Sequence, residues 1–171
     1  MDTPDVKIDL RPVGFVRVSL PDDSVARAVR GVQGSIEILP EYEEALEGIE
    51  GFSHIIVIAY LHKAISRRGV LRVRPRKFMR YGLSEEEIPE VGVFCTDSPH
   101  RPNPIAVSIV RLLKREGRIL HVDGLDLFDG TPVLDIKPYT PSRRIEGIKL
   151  PEWYISLLEK IRRVCPEAVE I

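Results

Sequence analysis

Alternation of apolar and polar residues at period two recurs along the chain, and that period marks strands with one buried face. Pro12–Ser19 (PVGFVRVS) and Gly34–Leu39 (GSIEIL) follow it. Ser53–Leu61 (SHIIVIAYL) is a nearly continuous apolar run of strand length and reads as a central strand buried on both faces. Val70–Arg74, Val91–Cys95, Ile105–Leu113, Arg118–Leu127 and Val133–Lys137 complete the predicted strands, with a hairpin turn over Lys114–Gly117 and a further turn at Asp129-Gly130. Pro21–Arg30 reads as a polar loop and Tyr81–Glu90 as an acidic excursion. Glu41–Ile49 carries helix formers after an acidic start and predicts a short helix ending near Gly51. At the C-terminus, Tyr154, Leu157, Leu158 and Ile161 recur at i, i+3, i+4, i+7, predicting a helix over about 151–164 with Pro151 in its first turn. That apolar face is expected to pack on the strands or on a partner. Many short strands without crossover helices argue for a mainly β barrel or sandwich and against a doubly wound α/β sheet. The 171 residues fit one domain.

Composition narrows the class. The chain is 43% hydrophobic and 30% charged with a net charge of -1, so a sizeable core is feasible and no global attraction to polyanions exists. No apolar stretch is long enough to span a bilayer, and the N-terminal residues lack the order of a signal peptide; a cytoplasmic protein is the expectation. Cys95 and Cys165 lie far apart, which argues against a disulfide framework or a thiolate zinc site; Cys95, inside an apolar run, reads as a small core residue. Gln33 and Asn103 are the chain's only side-chain amides, among abundant Glu, Lys and Arg, a balance that suits a high-temperature source.

Three clusters carry candidate chemistry. Ser98-Pro99-His100-Arg101-Pro102-Asn103-Pro104 is stiffened by its prolines, each biasing the residue before it to extended geometry. Such a loop holds Arg101 and Asn103 ready for a ligand at little entropic cost, although a rigid turn with exposed polar groups explains it too. Asp123-Gly124-Leu125-Asp126 opens a second cluster that runs to Tyr139. There Gly124 allows close backbone approach, Asp126 and Asp129 also read as turn formers, and Asp135 and Lys137 share a strand face where an ion pair fits. The third cluster is basic: Lys63, Arg67, Arg68, Arg72, Arg74, Arg76, Lys77 and Arg80, with no acid between Lys63 and Arg80. A solvated face is the bland reading; phosphate is the natural partner of so one-sided a run. His54 and His62 bracket an apolar strand, but no Asp or Cys at ligand spacing supports them, so no metal is expected. No Rossmann, P-loop or nucleophile-elbow motif occurs.

Gly92–Ser108 (GVFCTDSPHRPNPIAVS), Phe52–His62 (FSHIIVIAYLH) and Asp123–Tyr139 (DGLDLFDGTPVLDIKPY) resemble, in order and spacing, the three signature blocks of the TrmO/YaeB family, over about Pro12 to Pro141. That family comprises S-adenosylmethionine-dependent methyltransferases acting on N6 of N6-threonylcarbamoyladenosine beside the tRNA anticodon. The resemblance implies a small antiparallel β-barrel with a few short helices and a C-terminal helix, and a homodimer with the cofactor near its interface. It places cofactor contacts on Leu61, His62, Asp97, Val107, Asp123, Gly124, Leu125 and Asp126. Arg101, Asn103, Lys137 and Tyr139 match motif positions and are expected to serve the substrate, with Arg72, Arg74 and Arg76 on tRNA phosphates. Asp97 stands where relatives usually carry Arg. Val25-Ala26-Arg27-Ala28 replaces a Pro-Arg-Gln stretch, with only Arg27 matching. The chain reads as a short form without the C-terminal domain of larger bacterial members.

Methyl transfer needs alignment of donor and acceptor. Carboxylates of Asp123 and Asp126 suit the sulfonium, Arg101 or Lys137 suits the threonyl carboxylate, and Asp126 or His62 is the candidate acceptor of the N6 proton. The alternative is a cofactor-binding or RNA-binding module without this activity.

Overall fold

The computed structural model describes residues 7–67 and 69–166. Along the chain run β1 (Gly14–Arg17), α1 (Asp22–Arg27), β2 (Val32–Ile38), β3 (His54–Tyr60), β4 (Arg72–Val73), β5 (Val91–Gly92), β6 (Ile105–Glu116), β7 (Ile119–Leu125), β8 (Pro132–Pro138) and α2 (Glu152–Val164). Short 3-10 stretches connect several of them. Six strands close into an antiparallel barrel in the order β1-β2-β7-β6-β3-β8, while β4 and β5 pair separately. The barrel, rather than the sandwich, is therefore the outcome.

Alternation builds the barrel interior. Val16, Ile36, Ile55, Val57, Val110, Leu120, Val122, Leu125 and Val133 are fully buried and form one core. Each such side chain contributes about 1.5–3 kcal/mol on burial. The expectation that β3 is buried on both faces is corrected: Ile55, Val57 and Ala59 point inward, while Ile56, Ile58 and Tyr60 are only half-buried. A barrel wall has one core face, so the other row looks outward. The β6–β7 hairpin forms as predicted, although β6 continues to Glu116 and Gly117-Arg118 makes the turn.

Other expectations change in detail. The supposed loop Pro21–Arg30 contains α1, whose single buried residue is Val25. The helix expected over Glu41–Ile49 is a 3-10 stretch, Pro40–Leu46, anchored by Leu46. After β5 the chain tightens into a 3-10 turn, Val93–Cys95, which buries Val93 and turns Phe94 outward with 80% exposure. Cys95 is likewise exposed and not a core residue.

A second hydrophobic cluster stands apart from the barrel interior. Leu157 and Ile161 of α2 are buried against Phe78, Leu83 and Ile88, with Tyr81, Trp153 and Tyr154 at the margin. The predicted helix face is thus used, but against Phe78 of the basic run and Leu83 and Ile88 of the acidic excursion, not the strands. Phe78 meets Tyr154 edge-on at 5.2 Å between ring centres.

Candidate functional site

The antiparallel order brings the C-terminal ends of β1, β3 and β7 and the N-terminal ends of β2, β6 and β8 to one mouth of the barrel. Leu61 and His62 follow β3 there, and the Leu61 amide donates to the Pro104 carbonyl at 2.7 Å, tying the strand end to the proline loop. Asp126 follows β7. The hydroxyl of Ser108, a buried position on β6 opposite Val57, donates to Asp126 Oδ1 at 2.5 Å. The neighbouring Asp129 lies in a turn with Gly130, and its carboxylate accepts the Val18 amide from β1's exit at 3.0 Å.

His62 Nδ1 is buried and meets no hydrogen-bond partner among the described residues. Burial, and then the positive charge of Lys63, hold its pKa below the ordinary value, with Asp22 opposing. Lys63 itself pairs with Asp22 at 2.6 Å and lies 5.3 Å from the Phe128 ring centre. Beside them Gly31 (φ 70°) packs so closely on Gly124 and Leu125 that a Cβ would stand 2.5 Å from the Gly124 carbonyl carbon. Only glycine allows that approach. It fixes the end of β7, and with it Asp126, against the start of β2.

Other expected contacts lie on the outer wall instead. Val107 (67% exposed) and Ile109 face outward on β6, in register with Ile58 and Ile56 of β3. On the flanks, Asp123 pairs with Arg111 at 3.2 Å, and Asp135 pairs with Lys137 at 2.6 Å, as the strand alternation predicts. Tyr139 lies edge-on to His54, with ring centres 6.5 Å apart. Lys137 and Tyr139 therefore belong to this wall, towards the barrel end opposite Asp126 and His62.

In the proline loop Arg101 folds back on its own chain, donating to the carbonyls of Thr96 at 2.8 Å and Val93 at 3.3 Å, with Nε buried. Its guanidinium shapes the loop, while Asn103 is exposed and its carbonyl accepts the Ile105 amide. Asp97 is 85% exposed and pairs with Lys77 at 2.8 Å. Burial alone would lower the Lys77 pKa; its partner Asp97, with Tyr154 alongside, outweighs this and raises it.

The basic run is partly neutralised by acids of the same chain, while Arg72 and Arg76 remain 65% and 64% exposed. Arg72 pairs with Glu90 at 3.5 Å, Arg76 with Glu85 at 2.7 Å, and Arg74 donates to the Ile88 carbonyl. The acidic excursion folds back over the arginines that precede it, which a one-dimensional charge count does not reveal. Arg67 and Arg68 of that run lie outside the residues whose side chains are described. Among the described residues no cluster of His, Cys, Asp or Glu could hold a metal ion, and no helix is long and apolar enough to cross a membrane.

The three sequence blocks thus converge on a barrel mouth and its adjoining wall, and the profile of the tRNA-methyltransferase O N-terminal domain matches residues 17–143. The chain belongs to the TrmO family. Among TrmO relatives, a protein of Pyrococcus abyssi named "Probable S-adenosyl-L-methionine-binding protein" is 40% identical, over 89% of this chain and 80% of its own. A mouse "tRNA (adenine(37)-N6)-methyltransferase" is 38% identical, over 75% of this chain and 30% of its own. The crystal structure of TrmO from Pseudomonas aeruginosa superposes with a TM-score of 0.61 at 32% identity, covering 84% of this chain and 61% of that one. TrmO membership agrees with the barrel and with the absence of a Rossmann motif.

Sequence reasoning singled out no role for Ser108, and it counted Lys63 only as part of the basic run rather than as the partner of Asp22 beside His62. Ser108 ends the proline block, but its inward parity on β6 becomes visible only once the strand is in register.

Proposed function

We propose that this chain transfers a methyl group from S-adenosylmethionine to N6 of N6-threonylcarbamoyladenosine beside the tRNA anticodon. Its membership of the TrmO family carries the reading, and the mouth chemistry supports it. An orphaned imidazole nitrogen on His62 and an exposed-edge carboxylate on Asp126 suit a ligand that brings both a hydrogen-bonding adenosine and a sulfonium cation. When bound, that cofactor supplies an activated methyl group. Leu61, His62, Gly124, Leu125 and Asp126 hold it at the mouth, with Asp97, Val107 and Asp123 contributing from the loop and wall.

His62, kept neutral by burial, or Asp126, oriented by Ser108, takes the N6 proton. Arg101 is the partner of the threonyl carboxylate from the same chain and Asn103 lines its approach, while Lys137 and Tyr139, at the opposite barrel end, take that part only from a second copy. Arg101 serves this role by shaping the loop unless it releases Val93 and Thr96. Arg72, Arg74 and Arg76 reach tRNA phosphate only by exchanging their present partners.

The division of these residues between mouth and outer wall favours a homodimer. Ile56, Ile58, Val107 and Ile109 form an apolar stripe flanked by the Arg111–Asp123 and Lys137–Asp135 pairs. A second copy on that wall covers the stripe and brings Val107 and Asp123 of one subunit into a composite site. The protein then acts in the cytoplasm, where its tRNA substrate is found.

The test is mass spectrometry of nucleosides after incubating threonylcarbamoylated tRNA with the protein and S-adenosylmethionine. A gain of one methyl group on that nucleoside supports the reading. No gain, with a thermal shift by the cofactor intact, points instead to a binding module.

A further inference from the structure

The carboxylate that marks the modified adenosine lies close to the atom to be methylated, since only a carbamoyl group and one carbon separate it from N6. A cation that reads it therefore stands near the group that takes the N6 proton. Lys137 is at the other barrel end, and Arg101 is engaged with the Val93 and Thr96 carbonyls. Lys63 directly follows His62. Its ammonium stands 5.3 Å from the ring centre of Phe128, which comes just after Asp126. It thus bridges the two chain segments that carry the candidate bases.

The backbone here is fixed and the side chain is not. The Leu61 amide bonds the Pro104 carbonyl at 2.7 Å, and the amide of the buried Ala64 donates to the Leu61 carbonyl at 3.1 Å. The Lys63 ammonium pairs at 2.6 Å with Asp22, in the first turn of α1, and both side chains are partly exposed. An exposed ion pair is worth little in water, so one carboxylate replaces another at small cost. A flexible stem and a compact charge suit that exchange, and the Phe128 face keeps the charge at the mouth while it occurs. Asp126 at the same mouth repels an incoming carboxylate, and a cation beside it offsets the repulsion.

We infer that Lys63 is the substrate contact that selects an N6 substituent bearing a carboxylate, and that Asp22 holds its place until the substrate arrives. Lys63 meets one carboxylate oxygen and leaves the other to Arg101. This role rests on the methyl-transfer reading given above and supplies its substrate selectivity.

Two anticodon stem-loop RNAs test it, one carrying N6-threonylcarbamoyladenosine and one with the threonyl carboxylate replaced by a carboxamide. Methylation of both by the wild type, Lys63→Gln and Asp22→Asn separates KM from kcat. The assay is run at about pH 8, where His62 is neutral with or without the Lys63 charge. The wild type is expected to favour the carboxylate by about tenfold in KM, the usual weight of a hydrogen bond between charged groups. Lys63→Gln is expected to lose that preference with kcat little changed. Asp22→Asn removes the competing carboxylate and is expected to lower KM for the carboxylate RNA by about twofold or more. A pair that merely braces α1 would raise KM in both variants and for both RNAs. That result, a preference surviving in Lys63→Gln, or equal KM values in the wild type overturns the inference and leaves the reaction standing. If Lys63→Gln does not fold, Asp22→Asn decides: a lowered KM upholds the inference and a raised one overturns it. A wild type that is stabilised by S-adenosylmethionine but methylates neither RNA overturns the tRNA reading, and the role of Lys63 with it.

Discussion

The Ser108 hydroxyl, from the N-terminal part of β6, donates to the Asp126 carboxylate just past the end of β7. Two strands that are adjacent in the barrel thereby fix one carboxylate over its mouth. Asp126→Asn is expected to lower turnover by about 10²-fold or more, the usual weight of a positioned base. Ser108→Ala removes only the orienting donor and is expected to cost roughly tenfold, in line with one hydrogen bond to a charged group. Initial rates of methyl incorporation measure both. Undiminished turnover in Asp126→Asn passes the proton to His62.

His62 provides a pH signature. The folded protein holds this imidazole less basic than the unfolded chain does, so below the ordinary value near 6.5 the unfolded state binds more protons. The stability that follows is complete above that pH and is lost as pH falls through the depressed folded value. Thermal unfolding from about pH 7 to about pH 5 is expected to fall more steeply in the wild type than in His62→Gln. Parallel curves would remove His62 as a buried neutral group.

Gly31→Ala combines a left-handed backbone with a collision against Gly124 and Leu125. The backbone alone costs about 1–3 kcal/mol for a non-glycine residue, and the collision adds to it. Gly48→Ala is the control, since that glycine has a similar positive φ (78°) but open space around it. Chemical unfolding is expected to rank Gly31→Ala well below Gly48→Ala. S-adenosylmethionine is also expected to stabilise the Gly31 variant less, because the end of β7 that carries Asp126 is displaced.

The apolar stripe on β3 and β6 makes a prediction about assembly. Ile109, 53% exposed in the single chain, would be covered in the proposed homodimer. Ile109→Asp is expected to shift the sedimentation coefficient from dimer to monomer and to weaken cofactor binding together with it. A wild type that sediments as a monomer at about micromolar concentration rejects the composite site.

Strand positions were legible because a barrel interior imposes period two: Val16, Ile36 and Ile38 could be assigned an inward direction from the sequence pattern alone, whereas Val133 shares the parity of the outward Asp135 and Lys137 and turns inward through a register shift in β8. β3 misled because Ile56 and Ile58 form an apolar outer row, and hydrophobicity does not distinguish a core face from a contact face. The exposed Cys95 was hidden by its apolar neighbours, since a 3-10 turn breaks the strand period after Gly92. At the site, the family resemblance marked His62 and Asp126, and their common barrel end depended on strand order. The engagement of Arg72 and Arg76 by Glu90 and Glu85 depended on the chain doubling back. Such tertiary pairing leaves no periodic trace.

The separation of the two hydrophobic clusters has a dynamic consequence. The barrel ladder closes on itself, so β3 is hydrogen-bonded on both sides, to β6 and β8, and its amides are expected to exchange only through large openings. The α2 cluster has no such closure; Leu157 and Ile161 can leave Phe78, Leu83 and Ile88 without breaking any barrel hydrogen bond. Amides of α2 should therefore exchange with deuterium as a separate, earlier cooperative unit. Because Lys77 links that unit to Asp97, the proline loop next to the mouth would loosen with it.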